Sequence, residues 1–312
     1  MAVALWAWNS ALLVNAPDAG RAKLISHRGV HQTFSSEDLQ NDTCTAERIH
    51  PPTHNYIENT IPSMQAAFEY GADVVELDIH LTPDGEFAVF HDWTLDCRTD
   101  GQGVTGETDT AELKTLDIGY GYTADGGRSF PLRGKGTGLL PTLDEVLEEF
   151  PTREFLINFK SERQEEALAL TEMLKENPAR RDAIFGVYGG SIPTQEALRL
   201  IPGLRGYDKN SALSCLSQYL AIGWTGIVPS RCKGTLVIVP ANYAWLMWGW
   251  PHRFTYRMRE AGSAVILLGP YGGGGFTSGI DRTDQVHFIP ERFGGYVWTN
   301  RIEVLGPMIN GN

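Results

Sequence analysis

Glu76 and Asp78 stand two residues apart in Val74-Val75-Glu76-Leu77-Asp78-Ile79, an apolar stretch that reads as a strand. Alternate side chains leave a strand on one face, so the two carboxylates emerge side by side, with His80 next along that face. Desolvating two unpaired carboxylates in apolar surroundings costs several kcal/mol, and a hard cation with oxygen ligands offsets that cost. The pattern points to a metal site. The alternative, a solvated face on an edge strand, sits poorly with the helical segment that precedes it and ends Glu69-Tyr70-Gly71. Thr82-Pro83-Asp84-Gly85-Glu86 follows, and Asp-Gly between strands is a hairpin signal. With Asp84 and Gly85 as the two central turn residues, counting outward sets His91 opposite Asp78. Asp92 then stands ready to orient the His91 ring and fix its tautomer.

Two further short runs carry chemistry. His27-Arg28-Gly29 puts a titratable ring, a forked cation and a backbone-permissive residue at a strand end, where Arg28 can grip two phosphate oxygens while Gly29 lets the chain turn away. Glu58 in Glu58-Asn59-Thr60 is either a third carboxylate for the cation or a charge favoured near a helix N-terminus.

The elements that must position these residues alternate along the whole chain, short β-branched runs with longer helical patterns, which is the signature of βα units around a parallel sheet. Nine strands are expected: Lys23–Ser26, Asp73–Leu81, Phe87–His91, Phe155–Phe159, Ala183–Tyr188, Leu204–Tyr207, Leu236–Val239, Ala264–Leu268 and Tyr296–Thr299. Helices include Ile61–Tyr70, capped by Thr60 with Pro62 in its first turn, and Arg163–Glu176, closed by Asn177-Pro178. The link between the second and third strands is too short for a parallel crossover, so the third is an antiparallel hairpin excursion and the other eight can close a TIM (β/α)8 barrel. No composition shift or linker divides residues 1–312, so a single domain is expected, with residues 1–22 as an N-terminal extension. The long segments 30–57 and 101–140 are expected to cover the functional face of the barrel, and residues 30–57 are read as a lid-like insertion, a structural flap pinned by a disulfide being the alternative.

Composition narrows the partners. A net charge of -12 and the lack of any Lys/Arg run argue against nucleic acid. The opening residues have no basic residue before Arg21, so they make a poor secretory signal, and the true N-terminus is left open, a start further upstream being one alternative. Cys44, Cys97, Cys215 and Cys232 show no C-x-x-C spacing and sit in polar, loop-like contexts. The expectation is two disulfides, Cys44–Cys97 and Cys215–Cys232, and therefore an extracytoplasmic compartment, periplasmic or secreted; four buried thiols in a cytoplasmic enzyme is the alternative.

Taken in order, His27-Arg28-Gly29, Glu58-Asn59-Thr60, Gly71-Ala72-Asp73, Glu76-Leu77-Asp78, Thr82-Pro83-Asp84-Gly85, His91-Asp92 and Pro141-Thr142-Leu143 resemble the glycerophosphodiester phosphodiesterase family over Lys23–Lys160, and the closing Thr299-Asn300-Arg301 is similar to that family's last barrel strand. The resemblance implies a TIM barrel and metal-dependent hydrolysis of a glycerophosphodiester or related lipid-headgroup diester to an alcohol and a phosphomonoester. It implies Glu58, Glu76 and Asp78 as ligands of a divalent cation, Mg or Ca; His27 and His91 as the acid–base pair; and Arg28 and Lys160 near the phosphate. Where the family usually has a further metal-binding glutamate this chain has Asn158, a weaker candidate ligand.

Some residues fall outside that pattern. The insertion carries His50 and His54 as well as Cys44. Trp245, Trp248 and Trp250 are concentrated in one segment that either seats an acyl chain, touches a bilayer surface, or packs against a helix. The Gly272–Gly275 run lacks the Lys-Ser/Thr of a phosphate-binding loop and is read as a flexible loop, and His31, His252 and His287 receive no role. Two alternatives stand beside the leading reading: a lysophospholipase D-like reaction on a longer amphiphile, and a barrel that binds a phosphoryl ligand without turning it over.

Overall fold

Nine short runs of aliphatic and β-branched residues form strands: β1 (Lys23–His27), β2 (Val74–Leu81), β3 (Phe87–Val89), β4 (Glu154–Phe159), β5 (Ile184–Gly189), β6 (Gly206–Tyr207), β7 (Leu236–Pro240), β8 (Ala264–Leu268) and β9 (Tyr296–Thr299). They were located in a computed structural model that describes residues 8–10, 21–35, 37–39, 43–273 and 278–311. Eight strands lie in the order β6-β5-β4-β2-β1-β9-β8-β7, every neighbouring pair parallel, with β3 antiparallel on β2. The ends of this order, β6 and β7, are joined by the Thr235 hydroxyl, which donates to the Gly206 carbonyl. The result is a nearly closed barrel with helices outside, the expected TIM architecture.

Alternation divides each strand between two cores. Ile25, Val74, Leu156, Phe185, Leu236, Ile266 and Trp298 fill the lumen, while Leu24, Val75, Leu77, Phe155, Ile157, Val237 and Val265 pack outward under the helices. Burial on both faces is why these strands read as almost continuous apolar runs. The helix Ile61–Glu69 starts where the sequence places it: the Thr60 hydroxyl accepts from the Ser63 backbone N–H, the Ser63 hydroxyl accepts in return, and Pro62 occupies the first turn.

The hairpin differs by one residue from expectation. Leu81 pairs with Phe87 and Ile79 with Val89, and the Thr82 N–H reaches the Glu86 carbonyl, so the loop is Pro83-Asp84-Gly85. A two-residue type I′ turn needs positive φ at both central positions, and in this loop only Gly85 supplies it, at +85°. Phe90, not His91, therefore lies against Asp78, its N–H donating to the Asp78 carbonyl at 3.1 Å. β3 also ends at Val89 because the Val89 N–H turns to the Pro141 carbonyl.

The described residues of the 30–57 insertion pack against the segment that follows the hairpin. Ala46, Ile49 and Ile57 share an apolar core with Phe90, Leu95, Leu113, Ile118, Leu132 and Leu140 of the segment after the hairpin. The Cys44–Cys97 disulfide ties the two halves of this second core, and Cys215–Cys232 ties the helix Lys209–Ile222 to the approach to β7. Trp8 of the N-terminal extension docks on the barrel, its indole N–H donating to the Thr225 carbonyl. Trp245 is exposed, Trp248 is half exposed, and Trp250 is partly buried, packed against Phe254 and Phe293. Of the Gly272–Gly275 run, Gly274 and Gly275 lie outside the described residues. Among the described residues no helix is long and apolar enough to cross a membrane.

The two disulfides close loops with sequence separations of 53 and 17 residues. Replacing Cys44 and Cys97 by serine should lower unfolding free energy by about 4 kcal/mol, and replacing the second pair by about 3, measured by urea denaturation. The unreduced, denatured protein should show no free thiols.

Candidate active site

Parity along the strands builds the site. On the lumen side, Val74 is followed by Glu76 and Asp78, Leu156 by Asn158, Ile25 by His27, and Trp298 by Asn300, so polar side chains ring the barrel mouth one layer above an apolar plug. Ladder register sets neighbours: His27 pairs with Glu76, and Asp78 with Asn158. Glu58, Glu76 and Asp78 are buried, as are His27, Arg28 and Arg98, while His91 and Lys160 keep partial access to solvent.

Two left-handed residues shape the rim. Arg28 (φ +57°) and Asn59 (φ +59°) sit in a conformation that costs of order 1–3 kcal/mol each unless surroundings impose it. Hydrogen bonds do impose it: the Arg28 N–H donates to the Glu76 carbonyl, the Asn59 N–H donates to the Arg28 carbonyl, and the Asn59 amide both donates to Asp78 Oδ2 and accepts from the Asp78 N–H. Gly29 follows at φ +75°, and a Cβ there would fall 2.5 Å from Ser63 Oγ, so the turn toward the helix Ile61–Glu69 demands glycine.

Each acid has defined partners. Glu58 accepts from Arg28 Nη1 at 3.0 Å and from Arg98 Nη1 at 3.1 Å. Asp78 lies 3.1 Å from Arg28 Nε, 3.5 Å from Lys160 Nζ, and accepts from Asn158 Nδ2 at 2.8 Å. Glu76 accepts from the Tyr188 hydroxyl at 2.6 Å and the Arg28 N–H at 3.2 Å, with His27 Nε2 at 3.8 Å. His91 Nδ1 is 2.6 Å from Asp92 Oδ1, and Arg98 Nε donates to Asp92 Oδ2. The expected orientation of His91 by Asp92 is therefore present, although His91 does not lie opposite Asp78 in the hairpin.

Burial raises the cost of every carboxylate here, and neighbours decide which ones stay charged. Burial and the adjacent Asp78 push Glu76 up to about 8. Burial acts on Asp78 too, but Lys160 and Arg28 outweigh it and hold the carboxyl well below its usual range. Against burial, Arg98 and Arg28 lower Glu58 as well. Burial and the Arg28 charge drive His27 well below its ordinary value, and burial with Arg28 and Lys160 lowers His91. Burial alone dominates at His80, which falls to about 4.

Among the described residues no three His, Cys, Asp or Glu side chains converge as ready ligands on one point; Arg28 reaches both Glu58 and Asp78. The donor set nonetheless fits a hard divalent cation. Three buried carboxylates offer oxygen donors, the cysteines are all in disulfides, and the raised Glu76 marks one carboxylate with too little positive charge beside it. Asn158 turns its amide N–H to Asp78, and its Oδ1 faces Gly189, where a Cβ would fall only 2.2 Å away.

Sequence reasoning passed over several site residues. Asn300 was legible in principle, since alternation from Trp298 points it into the lumen mouth, whereas Tyr188 faces in only because the β4–β5 ladder shifts register after Ile184. Arg98 carried no such signal: it lies in a loop beside Cys97 and becomes a buried hub bonded to Asp92, Glu58, Tyr122 and Thr45 only through tertiary folding. His31, given no role, is buried with its ring 5.8 Å from that of His27. His50 and His54 instead bond within the insertion, to Thr33 and Gln32.

The model of the glycerophosphoryl diester phosphodiesterase family matches residues 27–188, just over half of the chain and the span that holds His27, Glu58, Glu76, Asp78, His91 and Asn158. The chain belongs to that family. A glycerophosphodiester phosphodiesterase of Caldanaerobacter subterraneus is 39% identical over 108 residues, 34% of this chain and 40% of that protein. A lysophospholipase D of Mus musculus is 28% identical over 134 residues, 42% of this chain and 40% of that protein. The matched region thus spans about two fifths of the length of these relatives. A phosphodiesterase of Oleispira antarctica, solved with its product sn-glycerol-3-phosphate, shares the fold with a TM-score of 0.55 and 19% identity, covering 96% of this chain and 99% of that one.

His80 supplies a pH test. Its folded value of about 4 lies below the ordinary 6.5, so the unfolded chain binds the extra proton and stability falls as pH drops from 6.5 toward 4. His80→Gln should lessen that loss by up to about 3 kcal/mol, read from urea denaturation at pH 7 and pH 4.5.

Proposed function

We propose that this protein hydrolyses a glycerophosphodiester, or a related lipid-headgroup phosphodiester, to an alcohol and a phosphomonoester, with His27 and His91 as the acid–base pair. The observation that carries the reading is the pair of imidazoles at one acid cluster, each with Nδ1 engaged from behind, by Asn300 or Asp92, and Nε2 as the nitrogen for proton transfer. Arg28 and Lys160, both set on Asp78, are the cations that meet the anionic diester. Glu58, Glu76 and Asp78 would hold the divalent cation, magnesium or calcium, which when bound supplies charge neutralisation at a phosphoryl oxygen. Asn158 acts on this site by fixing Asp78 through its amide N–H. One histidine removes the proton of the attacking hydroxyl and the other protonates the departing alkoxide.

Family membership and the product carried by the Oleispira antarctica structure support a small glycerol-based diester. A longer amphiphile is the second reading, favoured by exposed Trp245 and half-exposed Trp248, which offer aromatic rings to an acyl chain or a bilayer surface. The two disulfides support a place outside the cytoplasm.

The test is hydrolysis of glycerophosphocholine and of lysophosphatidylcholine by the purified protein, first with EDTA and then with magnesium or calcium restored. Turnover should require the cation and fall about 10²- to 10⁴-fold in His27→Ala and in His91→Ala. Equal turnover in either variant would end the two-histidine account, and cation binding without turnover of any diester would leave a binding protein.

A further inference from the structure

Away from the barrel mouth, the described residues enclose a half-open cavity of about 450 Å³ between the 30–57 insertion and the segment that follows the hairpin, a size that suits a small-molecule ligand. None of the histidines, acids or cations assigned to the reaction lines it. Two chain segments separate it from the mouth. Cys97 and Thr99 line the cavity, while Arg98 between them turns to Glu58 and Asp92. Tyr120, Gly121 and Thr123 line it, while the buried Tyr122 turns the other way and its hydroxyl accepts from Arg98 Nη1. The segments touch: the Gly121 N–H donates to the Arg98 carbonyl at 3.2 Å, and a Cβ at Gly121 would collide with the Cys97 carbonyl oxygen.

One wall carries a cation that is held but not paired. The Arg133 guanidinium lies 3.8 Å from the centre of the Tyr120 ring and 3.7 Å from that of Phe130, and its Nε donates to the Tyr120 carbonyl at 3.1 Å. Stacking on two rings orients the planar fork, and Nη1 and Nη2 have no partner among the described residues. Gly126 lines the same cavity on a loop fixed by Asp125, which accepts from the Thr123 hydroxyl and from the Arg128 and Ser129 N–H groups. The Gly126 N–H is likewise without a partner among the described residues.

The opposite charge lines the same space. Glu47 and Asp96 contribute carboxylates, and neither forms an ion pair with Arg133 or with any other described cation; Asp96 accepts only the Gly103 N–H, at 3.3 Å. A simple anion in this cavity meets the repulsion of two carboxylates, and a simple cation that of the guanidinium. A molecule carrying both charges meets neither. The Arg133 fork with the Gly126 N–H suits the several terminal oxygens of a phosphoryl group, and the two acids suit a cationic nitrogen.

We propose that this cavity is a second binding site, separate from the barrel mouth, for a small zwitterion in which a short chain joins a phosphoryl group to a cationic nitrogen, the phosphoryl group on Arg133 and the nitrogen at Glu47 and Asp96. The proposal goes beyond the hydrolysis described above and does not rest on it. A free phosphorylated amino alcohol and the headgroup of a zwitterionic lipid present this same chemistry.

The test is calorimetric titration of the full-length protein, in EDTA, with phosphocholine, choline and inorganic phosphate. Phosphocholine should bind the wild type about tenfold more tightly than either half alone. Arg133→Ala should weaken phosphocholine about tenfold, and Arg133→Lys, which keeps the charge without the fork, nearly as much. Glu47→Gln combined with Asp96→Asn should weaken phosphocholine while tightening inorganic phosphate, an inversion that a loss of structure does not produce. Cosedimentation with phosphatidylcholine vesicles separates the two sources. Vesicle binding that Arg133→Ala abolishes supports the site and assigns it to the lipid headgroup; phosphocholine binding without vesicle binding supports it and assigns it to the free zwitterion. Phosphocholine that does not bind, or that binds folded Arg133→Ala as tightly as the wild type, overturns the site. Inorganic phosphate that binds the wild type as tightly as phosphocholine overturns the zwitterion assignment.

Discussion

Four carboxylates, Glu58, Glu76, Asp78 and Asp92, lie at the barrel mouth with three cations among them, Arg28, Arg98 and Lys160, and the arrangement of the mouth follows from making that concentration of charge tolerable. Burying an isolated ion costs several kcal/mol, so each acid must find a cation or a set of donors. Arg28 meets this need only by taking a left-handed backbone, which sends its side chain between Glu58 and Asp78 and its N–H to Glu76. Arg98 bridges Glu58 to Asp92 and so links the carboxylate behind His91 to the metal-ligand candidates. With neutral histidines the acids outnumber the cations by one, and Glu76, pushed up to about 8, is where the imbalance appears.

The barrel supplies the rigidity this arrangement needs. Trp298 and its apolar neighbours plug the lumen beneath the polar ring, so Glu76 and Asp78 rise from strand positions that are packed on both sides. The insertion and the segment after the hairpin form a second core against the first, and their disulfide joins Cys97 to the residue before Thr45, which accepts from Arg98. A cross-link distant in sequence thus bears on the carboxylates through a single arginine.

How much of this was legible in the sequence follows from how local each cause is. Period-two alternation was enough to place Glu76 and Asp78 together, and hydrophobic runs with their caps gave all nine strands within a few residues. The hairpin register failed because Asp-Gly was read as a two-residue turn, whereas Pro83 starts a three-residue loop in which only Gly85 takes positive φ. Arg98 and Asn59 were not legible, since each reaches the site from a loop whose path is set by tertiary contacts. For the tryptophan segment the sequence left surface contact and helix packing both open, and Trp250 takes the second, packing against Phe254 and Phe293.

The central claim is that Glu76 belongs to a carboxylate cluster short of one cation. Calorimetric titration of magnesium or calcium into the wild type and Glu76→Gln, repeated at pH 7 in buffers of different ionisation enthalpy, measures this directly. One cation per chain should bind and release close to one proton, because a carboxyl pushed up to about 8 must ionise to coordinate it, and Glu76→Gln should bind more weakly with no release. Binding without proton release, or binding that Glu76→Gln leaves unchanged, would contradict the account.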